Sequence, residues 1–125
     1  YGGRGKTLFE LNKLIESIGN YDRAIELSPD VEDGYFLRAE AKVKLANSFN
    51  KKSSYYDVLI NEAIDDSNIS IELNPNYYKG YKTLAEAKFM IGIKGCEDLR
   101  KALELSENEE EKKEVELIFN EFCKN

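Results

Sequence analysis

The stretch whose residue types and spacing come nearest to known chemistry lies at the start of the chain. Gly5-Lys6-Thr7 reads like the end of a phosphate-binding loop, in which glycines let backbone amides close on phosphates and the lysine adds charge. The first glycine of that loop would fall before residue 1, and the loop must follow a strand of a parallel sheet. No segment here has the two-residue periodicity of a strand. The 125 residues contain no histidine. Nucleophilic or acid–base catalysis would therefore need Cys or Ser beside Lys or carboxylates, and no spacing suggests such a set. Glu109 to Glu111 read as the solvated start of a helix. Cys96 and Cys123 stand far apart without a CxxC, which excludes zinc sites of the usual spacing. Two small apolar thiols in or near helix packing, not a disulfide, are the expectation. The expected chain is thus not an enzyme and holds no metal and no cofactor.

Composition narrows the partners. The chain is 42% hydrophobic and 34% charged, with a formal charge of −6. An acidic chain with interspersed Lys and Glu lacks the basic face that nucleic acids and anionic membranes require. No apolar run approaches the ~20 residues needed to cross a bilayer. Protein partners and a cytoplasmic location are expected, while the oligomeric state stays open.

The positioning elements emerge from an internal repeat. Residues 25–42, IELSPDVEDGYFLRAEAK, return at residues 71–88 as IELNPNYYKGYKTLAEAK, a constant offset of 46 residues. Both copies keep Ile-Glu-Leu, the proline, a Gly-Tyr pair and Ala-Glu-Ala-Lys. A unit stated twice is built twice, and units of this size stack into arrays. Pro29 and Pro75 each close an apolar helical run. Between Thr7 and Leu27, Leu8, Leu11, Leu14, Ile15, Ile18, Tyr21 and Ile25 recur at helical steps, with a turn between two helices expected at Asn12 or at Gly19-Asn20. Asp30 caps a helix running over 35–45. Residues 46–57 lose the apolar period and read as a loop in their first half, before Ser54 with Asp57 opens the next helix as a capping box. Asn76 caps a helix that ends at Gly92, Cys96 to Leu105 form the next, and Ser106 with Glu109 opens the last, over 109–123.

These units resemble the tetratricopeptide repeat (TPR), a 34-residue helix-turn-helix with an aromatic, a small residue four on, and a terminal proline. Tyr1-x-x-Arg4-Gly5 precedes Tyr35-x-x-Arg38-Ala39 by 34 residues, and Tyr81-x-x-Leu84-Ala85 is a third statement. That match favours the repeat over a phosphate loop. The resemblance implies an all-α, right-handed superhelix of antiparallel helix pairs forming one domain over 1–125. Repeat 1 would span about 1–31, truncated at its start, so the array is expected to continue upstream. Repeat 2 would span about 32–77 with an insertion at 46–57, and repeat 3 about 78–107, followed by a capping helix. Gly5, Ala24, Ala39, Ala63, Ala85 and Ala102 would sit where helices cross and only small side chains fit.

In this family the first helices of successive units line a concave groove that takes a peptide. Carried onto this sequence, the groove presents Lys6, Phe9, Phe36, Leu37, Glu40, Lys79, Lys82, Glu86, Phe89 and Met90. The phenylalanines, Leu37 and Met90 would form an apolar floor, with Lys79 and Lys82 at the rim to meet a partner's carboxylate. The family's chaperone-tail clamp is not expected, because only Lys79 falls on a matching position. The resemblance therefore implies a protein-interaction module. The alternative is a structural spacer in a longer array, with contacts made by Tyr55 and Tyr56 of the insertion.

Overall fold

In the computed structural model the described residues are 2–123, with side chains described from Glu10 onward. Six helices follow one another: α1 (Gly2–Leu27), α2 (Glu32–Ala46), α3 (Ser54–Leu73), α4 (Tyr78–Met90), α5 (Cys96–Leu105) and α6 (Glu109–Phe122). No strand occurs among the described residues. Successive helices pack as neighbours, and α4 also touches α2 and α6, so the even-numbered helices form one layer and the odd-numbered ones the other.

The small residues explain how closely the layers approach. Ala39, Ala63, Ala85 and Ala102 are fully buried at the helix crossings, as the repeat pattern requires. Their neighbours form two cores. One gathers Val43, Tyr56, Ile60 and Ala87 from α2, α3 and α4. The other gathers Tyr78, Leu99 and Val115 from α4, α5 and α6. Both copies of the repeat make the same contact at their glycines: a Cβ on Gly34 would come within 3.0 Å of Ile25 Cγ1, and one on Gly80 within 3.0 Å of Ile71 Cγ1.

Four sequence expectations are corrected. Neither Asn12 nor Gly19-Asn20 makes a turn, and α1 is one helix of 26 residues. Without a proline, and with open space around Gly19, nothing stops the helix there. Ala24, expected at a crossing, is exposed because no helix among the described residues folds back over it. Gly5 lies outside the residues with described side chains, and Tyr1 outside the described residues altogether.

The caps shift by a residue or two. Val31 and Tyr77 precede α2 and α4 without side-chain capping bonds. Ser53 caps α3, accepting from the Tyr55 amide at 3.2 Å. Asn108 caps α6, accepting from the Glu111 amide at 2.9 Å, while Ser106 donates back to the Ala102 carbonyl at the end of α5. The α4 stop does follow the sequence reading: Gly92, at φ 77°, lets the Ile93 and Gly92 amides bond the Lys88 and Phe89 carbonyls.

The fourth correction concerns the cysteines, which form a disulfide between Cys96 and Cys123 with their Cα atoms 5.8 Å apart. The antiparallel α5–α6 hairpin brings the start of one helix to the end of the other, a proximity that sequence separation conceals.

Candidate functional site

The even-numbered helices present one face on which most of the sequence-predicted residues stand. On α2, Glu40 and Lys44 pair one turn apart at 3.8 Å. On α4, Lys82 lies 4.0 Å from Glu86 and also bonds the Glu114 carboxylate of α6, which accepts from Tyr78 Oη as well. A shallow groove of about 190 Å³ runs between them, lined by Val43, Asn47, Glu86, Met90, Ile118 and Glu121, with Phe122 at its end.

The electrostatics of this face differ from expectation. Lys82, expected to await a partner's carboxylate, is already held by Glu114. The bond to Lys82 in turn pulls the Glu114 carboxyl below the ordinary value of 4.5. Burial pushes Glu86 above that value, and the nearby Glu40 and Glu114 charges add to the rise against the pull of Lys82. Four carboxylates stand on this face, those of Glu40, Glu86, Glu114 and Glu121, against three ammonium groups, those of Lys44, Lys82 and Lys79, the last acting on Glu114. The face is short of positive charge.

The apolar floor is not assembled as expected. Phe36 is only 4% exposed and packs edge-on against Tyr77, ring centroids 5.4 Å apart. Lys79 also lies over the Phe36 ring, its Nζ 5.8 Å from the centroid. Phe89 stacks on Phe122 of α6 at 4.5 Å. Leu37 faces the opposite edge of α2, in a second groove of about 440 Å³ between α1 and α2. Of the floor residues with described side chains, Met90 alone lines the first groove. The reason is common to all of them: large apolar side chains at the helix seams are drawn into packing. Lys6 and Phe9 stand on α1, and their side chains lie outside the described residues.

Three groups were not picked out by sequence reasoning. Glu114 and Glu121 belong to α6, whose polar side looked like simple solvent cover. Asp66 is 3% exposed and binds the Arg38 guanidinium through both oxygens, at 2.7 and 2.8 Å, with Lys42 3.9 Å away. Arg38 also reaches Asp22 on α1 at 2.8 Å, tying three helices together. The ion pair with Asp66 holds the guanidinium charged well above its ordinary range. Among the described residues no group of His, Cys, Asp and Glu is arranged to hold a metal ion.

No helix among the described residues is long and apolar enough to cross a membrane. No family model and no curated protein matches the sequence. Among solved structures, a thermophilic TPR protein of Thermus thermophilus superposes with a TM-score of 0.78 at 17% identity. The superposition covers 95% of this chain but 62% of that one, so this chain spans less than two thirds of that protein's length.

Proposed function

We propose that this chain, an all-α stack with the fold of a tetratricopeptide-type helical repeat, is a protein-interaction module that takes a peptide segment along the α2–α4–α6 face. The observation that carries the reading is the groove whose wall holds Glu86, Glu121 and Met90. A carboxylate lifted by burial and left with a lysine that α6 has already claimed is better satisfied by an added cation. The favoured ligand is therefore a segment with a basic side chain for Glu86 and an apolar neighbour for Met90. This reverses the expected polarity, in which Lys79 and Lys82 meet acidic groups. Lys79 and Phe36 serve the α2–α4 seam, and Phe89 serves the seating of α6.

The test is selection from a library of short peptides against the whole chain. Enrichment of Lys- or Arg-containing apolar segments, lost with Glu86→Arg, supports the reading; enrichment of acidic tails overturns it. A second reading rests on the insertion, where Phe49 and Tyr55 lie 5.7 Å apart with tilted rings and Tyr55 is 67% exposed, with Val58 just beyond it 52% exposed. Tyr56 leaves this surface, buried with its hydroxyl donating to the Met90 carbonyl at 3.1 Å. Tyr55→Ser with Val58→Ser should spare peptide capture if the groove is the working surface, and abolish it if the insertion is.

A further inference from the structure

The repeat allows each surface of the first copy to be compared with its counterpart 46 residues on. The groove between α1 and α2 is lined by Tyr21, Ala24, Leu27, Val31, Gly34 and Leu37. Their counterparts in the second copy are Ser67, Ser70, Leu73, Tyr77, Gly80 and Thr83. In the second copy α2 lies over this face. The Glu32 carbonyl accepts from Ser70 Oγ at 3.2 Å, Phe36 packs on Tyr77, and Ser67, Ser70 and Thr83 are buried. In the first copy the same face is open. Leu27 is 84% exposed against 38% for Leu73, and Val31 is 45% exposed where Tyr77 is half-buried. The open face is also the more apolar of the two, an arrangement costly to leave in water.

The missing cover has a sequence signature, and the chain possesses it. The helix that covers the second face carries Tyr35-x-x-Arg38-Ala39, and the same pattern stands 34 residues earlier in Tyr1-x-x-Arg4-Gly5. That stretch does not fold back, because α1 runs unbroken from Gly2 to Leu27. Along one helix, Thr7 and Ala24 are roughly 25 Å apart at ~1.5 Å per residue, so a straight α1 cannot cover its own groove. A second copy can supply what the first cannot reach.

We propose that the α1–α2 groove is the docking site for the N-terminal half of α1 from a second copy of this chain, two chains exchanging these segments to close a two-fold dimer. Each copy contributes one segment and one groove, so the contact is self-complementary and closes without polymerising. The repeat fixes the register. Phe36 rides on Tyr77, and the corresponding pair is Gly2 of one copy against Val31 of the other.

Sedimentation of the whole chain should show a dimer, and Leu27→Asp, at a site exposed in the single copy, should weaken it by roughly tenfold or more. Gly2→Cys and Val31→Cys variants, made separately and mixed under mild oxidation, should form a covalent heterodimer. A chain that stays monomeric at every concentration reached overturns the proposal. So does a Gly2→Cys/Val31→Cys double variant that links only within itself, which would show that α1 breaks and closes its own groove.

Discussion

The two ends of the stack finish differently. At the C-terminal end α6 lays Val115, Ile118 and Phe119 against α4 and α5, stacks Phe122 on Phe89 and is bonded through Cys123 to the start of α5. At the other end no residue of α1 from Glu10 to Leu27 is fully buried. A repeat hides its apolar face only against a neighbour, so an array must cover its outermost faces by other means. This chain seals its α5–α6 face with a helix and a covalent tie, and the described part of α1 has no comparable cover among the described residues.

The sharpest way to break this contrast is to remove the tie. Cys96→Ser/Cys123→Ser opens a loop spanning 27 residues of sequence separation. The loop-entropy argument puts the loss at about 3–4 kcal/mol, or roughly 10 °C in Tm. Amide exchange should accelerate first in α6, leaving α2 and α3 protected. An unchanged Tm would mean that packing of Val115 and Phe119 alone seals the end.

The next largest effect lies between the ends. The repeated position that is Arg38 in α2 is Leu84 in α4, 4% exposed. At this position one seam is ionic and the other apolar, although the α4–α5 seam keeps an ion pair further along, between Lys88 and Asp98 at 2.7 Å. Asp66→Ala removes the buried carboxylate and leaves the partly exposed Arg38 with Asp22 alone, which should cost about 2–3 kcal/mol in denaturant unfolding. It should also loosen α1, whose Asp22 shares that guanidinium. A loss confined to α2 and α3 would show that the link to Asp22, at 50% side-chain exposure, contributes little.

The helices, their order and the buried alanines were legible because they follow from short-range periodicity and from a pattern stated more than once. Gly34 against Ile25 and Gly80 against Ile71 are the repeat made physical. What escaped depends on encounters between distant segments. The Cys96–Cys123 bond requires the α5–α6 hairpin, and the neutralisation of Lys82 requires α6 to lie beside α4. The unbroken α1 escaped for another reason: family spacing demanded a turn, while the local residues, free of proline, permit a helix throughout. At the site, Glu86 and Met90 line the groove between the even-numbered helices, while the charges that Glu114 and Glu121 bring to it were hidden because they arrive with α6.

Smaller effects sharpen the comparison at the two glycines. Gly→Ala in a helix gains up to ~1 kcal/mol of propensity, set against crowding of the facing isoleucine. Around Gly80 the site is buried, and Ser70 Oγ also lies within 3.7 Å of an added Cβ. Around Gly34 the side is open and Ile25 can move away. Gly80→Ala should therefore be the less stable of the two by about 1 kcal/mol in paired chemical denaturation. Equal stabilities would show that the covered and uncovered faces are equally plastic.

The smallest effect concerns the two carboxylates on Lys82 and has opposite signs at each. Glu114 titrates below 4.5 in the folded chain, so its contribution is present above its unfolded value and is lost as pH falls through the depressed one. Glu86 titrates above 4.5, so its contribution is present below the unfolded value and disappears as pH rises through the raised one. At neutral pH, Glu86→Gln should then raise Tm slightly and Glu114→Gln should lower it, and both differences should vanish well below the carboxylate range. Because Glu114 stands on α6 and Glu86 on α4, the Glu114→Gln loss should come with faster exchange in α6, while Glu86→Gln leaves that helix as protected as before. If both variants shifted Tm in the same direction, Lys82 would not be committed to the sealing helix, and the charge deficit of the groove would disappear with it.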